Sequence, residues 1–403
     1  MPWKGVTVNE ERLRFLQEYR LDCYSVSDLA DRFSISRQTA HKWIRRLELY
    51  GENGFHELSR RPHSSPLQTD HATTQELVNL RKAHPSWGAR KLLDLMQRRQ
   101  PSRELPSPST ACRVLRREGL VRSRRRFRRA HPGAPKSIPK GPNDVWAADY
   151  KGQFRLGNSS YCFPLTVSDL ATRYLLGVDA HPAISLELTQ KYFARLFQEF
   201  GLPNRIRTDN GVPFASSALA RLSALSVWFI RLGIYPELIE PGRPQQNAVH
   251  ERMHRTLKRE ATIPPASSLA AQQRRFDAFR QEFNEVRPHE SLAMQRPAQL
   301  YHPSTRAMPR RIATYDYPSH FLVRRVSRDG TIRVLSKQIF VSNTLHDDFV
   351  GLEEIDDGIY DLYFCFYQIG RYLLRPNKIE DIVSRVPVSR RQIDLARRVS
   401  TMS

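Results

Sequence analysis

The sequence predicts a multidomain chain with three architectures in series: N-terminal all-α helix-turn-helix units, a central α/β core, and a small C-terminal β-barrel. Three observations predict it. Serine-capped helical periodicity fills the first third of the chain. From Asn143 onward, β-branched and aromatic runs alternate first with turns and then with helices. After Tyr317, short strands are punctuated by Asp-Gly turns. A chain of 403 residues is too long for one core, and 40% apolar content can supply several. The expected boundaries are a helix-turn-helix domain at 1–58, a second helical domain at 70–122 and a basic, Pro-rich linker at 123–142. The catalytic core is expected at 143–302 and the barrel at 316–384.

Charge divides the chain as well. The net charge is +23, and it is concentrated at the front: 29 Lys/Arg against 14 Asp/Glu in residues 1–142, 19 against 15 in 143–300, and 16 against 12 in 301–403. A basic front end on a nearly balanced body points to a nucleic-acid partner. No run approaches ~18 apolar residues, so no membrane span is expected. The N-terminus lacks a signal-peptide apolar region. The four scattered cysteines form no CxxC pair, which leads us to expect a reducing, cytoplasmic setting and no structural zinc.

The first unit lies in SVSDLADRFSISRQTAHKWIRRLELYG. Ser27 is expected to cap a short helix and Ser36 a second one. Val26, Leu29, Ala30, Phe33, Ile35, Ala40, Trp43, Ile44 and Leu47 would share a core. Arg37, Gln38, Thr39, His41, Lys42, Arg45 and Arg46 would then face outward, as on a recognition helix. A second helical unit, about Thr73–Leu120, is periodic at Leu77/Leu80, Leu92/Met96 and Ala111/Leu115. It fits a DNA-reading bundle and a spacer equally. The stretch Arg113–Arg129 holds nine arginines, Arg124, Arg125 and Arg126 among them, and Pro132, Pro135, Pro139 and Pro142 follow. Such a segment buries no core and suits phosphate contacts.

In the middle part, VWAADYKGQF, YCFPLTVSD and TRYLLGVDA read as consecutive strands. A helix is expected over Leu186–Phe200, a strand at Arg205–Thr208, a helix at about 217–232 and a strand near 233–239. The last segment, with turns at Asp329-Gly330 and Asp357-Gly358, reads as about five strands.

Three acids stand out. Asp149 ends the first strand, Asp209 follows the fourth, and Glu251 lies near the start of a later helix. Three gathered carboxylates repel one another and call for a divalent cation, with Mg²⁺ the hard-oxygen choice. A pair of such ions suits in-line phosphoryl transfer. The same helix reads His250-Glu251-Arg252-Met253-His254, the HExxH of zinc peptidases. Helical spacing would bury Val249, Met253, Thr256 and Leu257 and turn Glu251 outward, with His254, Arg255 and Lys258 around it. Arg252 and Arg255 sit poorly on a zinc-bearing helix, and a bare HExxH is common. His250 and His254 are therefore expected to be exposed.

The stretches WAADYKG, TVSDLATRY, RTDNGVPFAS, LGIYPELIEPGRPQQNAVHERMHRTLKRE and NEVRPHESLAMQRPAQLY closely resemble the integrase-like DDE transposases of bacterial insertion sequences, relatives of retroviral integrases with an RNase H-like core. The resemblance covers Trp146–Tyr301 by motif, and nearly the whole chain by domain order. It implies that Asp149, Asp209 and Glu251 are catalytic and hold two Mg²⁺ or Mn²⁺ ions, and that the partners are transposon-end inverted repeats and target DNA. It also implies a homo-multimer on DNA, with no membrane and no small-molecule cofactor. Asn210 and Gly211 would shape the turn presenting Asp209, with Gly211 at positive φ. Asn247 would cap the helix, and Arg255 and Lys258 would touch phosphates. Ala248 stands where the family usually has Gly, and the 42-residue interval from Asp209 to Glu251 is longer than in many relatives because of SSALARLSALSVWFIRLGI. A DNA-binding regulator that keeps the folds without the chemistry, and the zinc peptidase, are the alternative readings.

Overall fold

The computed structural model describes residues 7–51, 68–121, 137–240 and 243–382. The chain divides into two compact units, Met1–Thr69 and Asp70–Ser403.

The first unit holds α1 (Val8–Arg20), α2 (Val26–Arg32) and α3 (Arg37–Tyr50). Ser25 caps α2 by accepting from Asp28 N–H, and the Asp28 carboxylate accepts from Ser25 N–H in return. The cap therefore lies two residues before the expected Ser27, because the reciprocal Ser-x-x-Asp pair satisfies two orphan donors at once. Ser36 caps α3 as expected. Every apolar residue assigned to the shared core joins it, and Phe15 and Leu16 of α1 close it. Arg37, Gln38, His41, Lys42 and Arg45 are exposed as expected, whereas Thr39 and Arg46 are half-buried. Arg12, Lys42 and Arg46 surround the Trp43 ring.

The second unit opens with α4 (His71–Ala83), α5 (Ala89–Arg99) and α6 (Pro108–Arg117), which enclose a core of Leu77, Leu80, Trp87, Leu92, Met96, Val114 and Leu115. A mixed sheet follows. It comprises β1 (Val145–Tyr150), β2 (Phe154–Arg155), β3 (Tyr161–Asp169), β4 (Leu175–His181), β5 (Arg205–Thr208) and β6 (Tyr235–Leu238). Strand β3 pairs antiparallel with β1, β2 and β4, while β5 runs parallel to β1 and β6 parallel to β5. Helices α7 (Leu186–Phe200) and α8 (Ala224–Arg231) cover one face through Phe193, Phe197, Leu225 and Phe229. Helices α9 (Ala248–Ala261) and α10 (Leu269–Gln281) cover the other, setting Met253, Leu257, Phe276 and Phe279 on Cys162, Leu175 and Val178. A four-residue α11 (Pro297–Leu300) ends the core.

The helix expected over 217–232 begins only at Ala224. Its first part is a loop with a short 3₁₀ turn, Leu219–Arg221, in which Ala220 and Arg221 take positive φ. That stretch is not idle, because Ala220, Leu222, Val227 and Ile230 pack into the core of the C-terminal segment. The long interval between the second and third acids thus builds the seat for the last domain.

The C-terminal segment has seven strands, not five, and the described residues form no closed barrel. Strands β7 (Leu322–Arg325), β10 (Phe349–Asp356), β11 (Ile359–Phe364), β12 (Tyr367–Leu373) and β13 (Lys378–Asp381) form an open antiparallel sheet edged by β13 and β7, and β8 (Thr331–Val334) and β9 (Lys337–Phe340) form a separate hairpin. Asp357-Gly358 joins β10 to β11 in a hairpin as expected. Asp329-Gly330 does not, because β7 pairs with β10 and β8 with β9. The Gly330 carbonyl instead accepts from Val341 and Ser342, tying the turn to the far end of the β8–β9 hairpin. No helix among the described residues is long and apolar enough to cross a membrane.

Candidate active site

The sheet register brings the first two acids level. Ala147 pairs with Arg207 across the parallel β1/β5 ladder, so two residues further on Asp149 stands beside Asp209 at the strand ends. Both carboxylates are partly buried. Burial, then the negative charges of Asp209 and Glu251, push the Asp149 carboxyl up to about 7. Asp149 therefore feels the charge of both other acids. Burial also raises Asp209, against one N–H from Gly211 at 3.1 Å.

Glu251 sits in the first turn of α9 and is exposed, as expected. The buried face of that helix, however, carries His250, Met253, Leu257 and Ala261, while Val249 is exposed. The expectation that His250 and His254 are exposed is overturned. His250 is fully buried, with Nε2 2.7 Å from Thr166 Oγ1 and Nδ1 2.8 Å from Ser168 Oγ. His254 Nε2 lies 2.6 Å from the same Thr166 oxygen. Periodicity missed this because it scores histidine as polar. The hydroxyls of β3 supply partners that make burial affordable. Burial drives both imidazoles toward neutrality, His250 well below its usual range and His254 to about 4. The 3.8 Å approach of His254 Nδ1 to Asp149 Oδ2 is therefore a contact of a neutral ring, not an ion pair. Both ring nitrogens of His250 are engaged with hydroxyls, so the HExxH histidines do not present a pair of free lone pairs to zinc. The peptidase reading loses its ligands.

The supporting residues divide. Asn210 shapes the turn as expected, donating to Ile239 C=O at 2.8 Å and accepting from Arg221 at 2.7 Å. Gly211 does not adopt positive φ. Its lack of a side chain matters for space instead, because a Cβ there would stand 3.2 Å from Asp209 Oδ2. Asn247 occupies the N-cap position of α9 but makes no capping bond, and its buried Oδ1 has no hydrogen-bond partner. Arg255 and Lys258 are exposed on α9. Lys151, which the sequence reading did not single out, lies beside Asp149 and Lys258; burial, then the Lys258 charge, lowers its pKa. Its place directly after the strand that delivers Asp149 was the available signal. Asp179 is held by His181 and Arg195, as suits a structural acid. Arg124, Arg125 and Arg126 fall outside the described residues.

Among the described residues, no three His, Cys, Asp or Glu side chains stand close enough to form a finished metal cage. Asp209 and Glu251 each lie close enough to act on Asp149, and all three offer only hard oxygen donors. The like charge felt at Asp149 and the orphaned Asn247 oxygen one helical turn before Glu251 fit an oxygen-seeking divalent cation better than a soft one.

An α/β core with level acids at two parallel strand ends and a third acid on a covering helix defines the class. The chain carries an integrase core domain, matched at residues 139–244 and again at 232–297, behind a helix-turn-helix domain matched at 11–63 and a homeodomain-like domain at 39–115. These matches, with the insertion-element relatives below, support an integrase-like transposase of a bacterial insertion sequence. The chain is 31% identical over 242 residues to the insertion element IS476 uncharacterized 39.2 kDa protein of Xanthomonas euvesicatoria, covering 58% of this chain and 66% of that protein. It is 27% identical over 246 residues to the insertion element IS407 uncharacterized 31.7 kDa protein of Burkholderia multivorans, covering 59% and 83% respectively. Among solved structures, the HTLV-2 integrase catalytic core domain in complex with magnesium aligns with 41% of this chain and all of its own length, at 15% identity and a TM-score of 0.33.

Proposed function

We propose that this protein is a DDE transposase that cleaves transposon DNA ends and joins the freed 3′-hydroxyls to target DNA. Asp149, Asp209 and Glu251 are the metal-holding acids of this reading. The observation that carries it is the register that sets Asp149 beside Asp209, together with the Glu251 charge felt at Asp149. Two Mg²⁺ or Mn²⁺ ions bound there would supply the charge for in-line displacement at phosphorus. In the first step water attacks the phosphodiester, the P–O3′ bond breaks, and the 3′-oxygen takes a proton. In the second, that hydroxyl attacks a target phosphodiester and displaces its 3′-oxygen.

The chain's own residues bind and orient the DNA. Lys151, Arg255 and Lys258 set cations around the acids, where they would meet phosphate oxygens. The outward residues of α3, Arg37, Gln38, His41, Lys42 and Arg45, would read the inverted repeats. The Arg124–Arg126 segment would grip the backbone, and joining two ends calls for a homo-multimer on DNA.

The test uses the full chain with the inverted repeats that bracket its gene. Wild type should nick the repeat end and transfer it to a plasmid in Mg²⁺, and should do neither in excess EDTA. The Asp149→Asn variant should still shift the repeat in a gel. End cleavage by that variant, or by wild type in EDTA, overturns the reading.

A further inference from the structure

The oxygen of Thr166 joins two of the three acids. Thr166 lies on β3 directly opposite Asp149 in the antiparallel ladder and is fully buried. Its hydroxyl donates to the Asp149 carbonyl at 3.0 Å. A hydroxyl has one proton and two lone pairs. With the proton spent on Asp149, both histidine contacts to this oxygen must be accepted ones. His250 and His254 therefore each carry a proton on Nε2 and donate it to the same atom. His250 Nδ1 is left to accept from Ser168 Oγ. The donor and both acceptor sites of the Thr166 hydroxyl are used, and a buried hub so filled specifies one arrangement.

That arrangement fixes α9. His250 and His254 are one helical turn apart and share a face, with their rings in edge contact at 4.7 Å. Glu251 follows His250 by one residue, about 100° around the helix. Rotating or sliding α9 so as to move Glu251 breaks one or both bonds to Thr166 and strands a buried imidazole.

We propose that Thr166 is a positioning residue whose hydroxyl sets helix α9, and with it Glu251, at a fixed distance from the strand end that carries Asp149. It does not touch DNA or the reacting phosphorus. It acts through the backbone of one acid and the helix of another. The proposal rests on the assignment of these acids as the metal-holding set, but the test separates the two.

The first measurement needs no variant. In full-length protein labelled with ¹⁵N-histidine, two-bond ¹H–¹⁵N spectra report the tautomer of each ring, assigned with His254→Gln. Both His250 and His254 should carry the proton on Nε2; an Nδ1 proton on either ring overturns the hub. The second compares Thr166→Val, which keeps the shape and loses the hydroxyl, with Thr166→Ser, which keeps the hydroxyl. In Thr166→Val the Mg²⁺ concentration for half-maximal end cleavage should rise about tenfold, and Mn²⁺ binding followed by paramagnetic relaxation should weaken by a similar factor. Affinity for the repeat DNA should be unchanged, and Thr166→Ser should restore both readouts. Unaltered ion binding in Thr166→Val overturns the proposal. If wild type instead binds Mn²⁺ but cleaves nothing, the transposase reading fails while the tautomer and ion-binding results still decide the role of Thr166.

Discussion

Asp149 and Asp169 lie toward opposite ends of one antiparallel strand pair, and they lead opposite lives. Asp169 pairs across the ladder with Trp146 and is wholly buried. It accepts from Asn143 N–H at 2.8 Å, Thr172 N–H at 2.7 Å and the Thr172 hydroxyl at 2.7 Å. Burial still raises its pKa, but the three donors work against the rise. Asp149 is equally conspicuous in sequence and is also largely out of solvent. Its neighbours are two other acids, a neutral imidazole and one cation, Lys151, whose charge only partly offsets the rise in its pKa. One carboxylate is finished by its own fold; the other is left wanting a cation. An acid whose partners are all internal closes a turn, whereas one surrounded by like charge is held ready for something the chain does not supply.

The largest expected effect sharpens this contrast at once. Asp149→Asn, Asp209→Asn and Glu251→Gln should each cut end cleavage by roughly three orders of magnitude or more. Urea midpoints should not fall, because the like-charge repulsion is relieved. A variant that loses stability along with activity would place that acid in the Asp169 class. Asp169→Ala should do the reverse. It leaves buried donors unpaired and should cost about 3 kcal/mol in urea unfolding, while the folded fraction keeps cleaving. A drop in cleavage per folded molecule would break the contrast.

A pH series reads the same difference more gently. The Asp149 carboxyl is raised, so between about 4 and 7 the metal-free folded chain holds a proton that the unfolded chain has released. Stability from this group is therefore present at low pH and lost as pH rises toward 7. The melting temperature of metal-free protein should decline over that window, and Asp149→Asn should flatten the decline. An unchanged slope in the variant assigns the effect to another group. The smallest expected effect is that of Gly211→Ala, whose methyl crowds Asp209 Oδ2. It should slow cleavage roughly tenfold with DNA binding intact, and an unaffected rate would show that the carboxylate can shift without cost.

Much of the molecule was legible in its residues. Strand runs, the Leu186–Phe200 helix and the Ser36 cap were readable because they rest on local rules of period and capping. The placement of Asp149 and Asp209 at strand ends was readable because strand ends are visible in sequence. What stayed hidden is relational. The burial of His250 and His254 depends on hydroxyls more than eighty residues earlier, which no helical wheel contains. The role of Gly211 depends on where the Asp209 side chain lies, not on its own φ. The C-terminal strands form an open sheet and a separate hairpin, and strand count does not encode which strands pair.

The loop and helix that lengthen the interval before Glu251 have a practical consequence. Ala220, Leu222, Val227 and Ile230 are roofed by the final sheet. A chain cut after Asp316 would bare that greasy ledge to water and invite clumping. A well-behaved fragment is thus not the integrase core alone but the core with its tail left on.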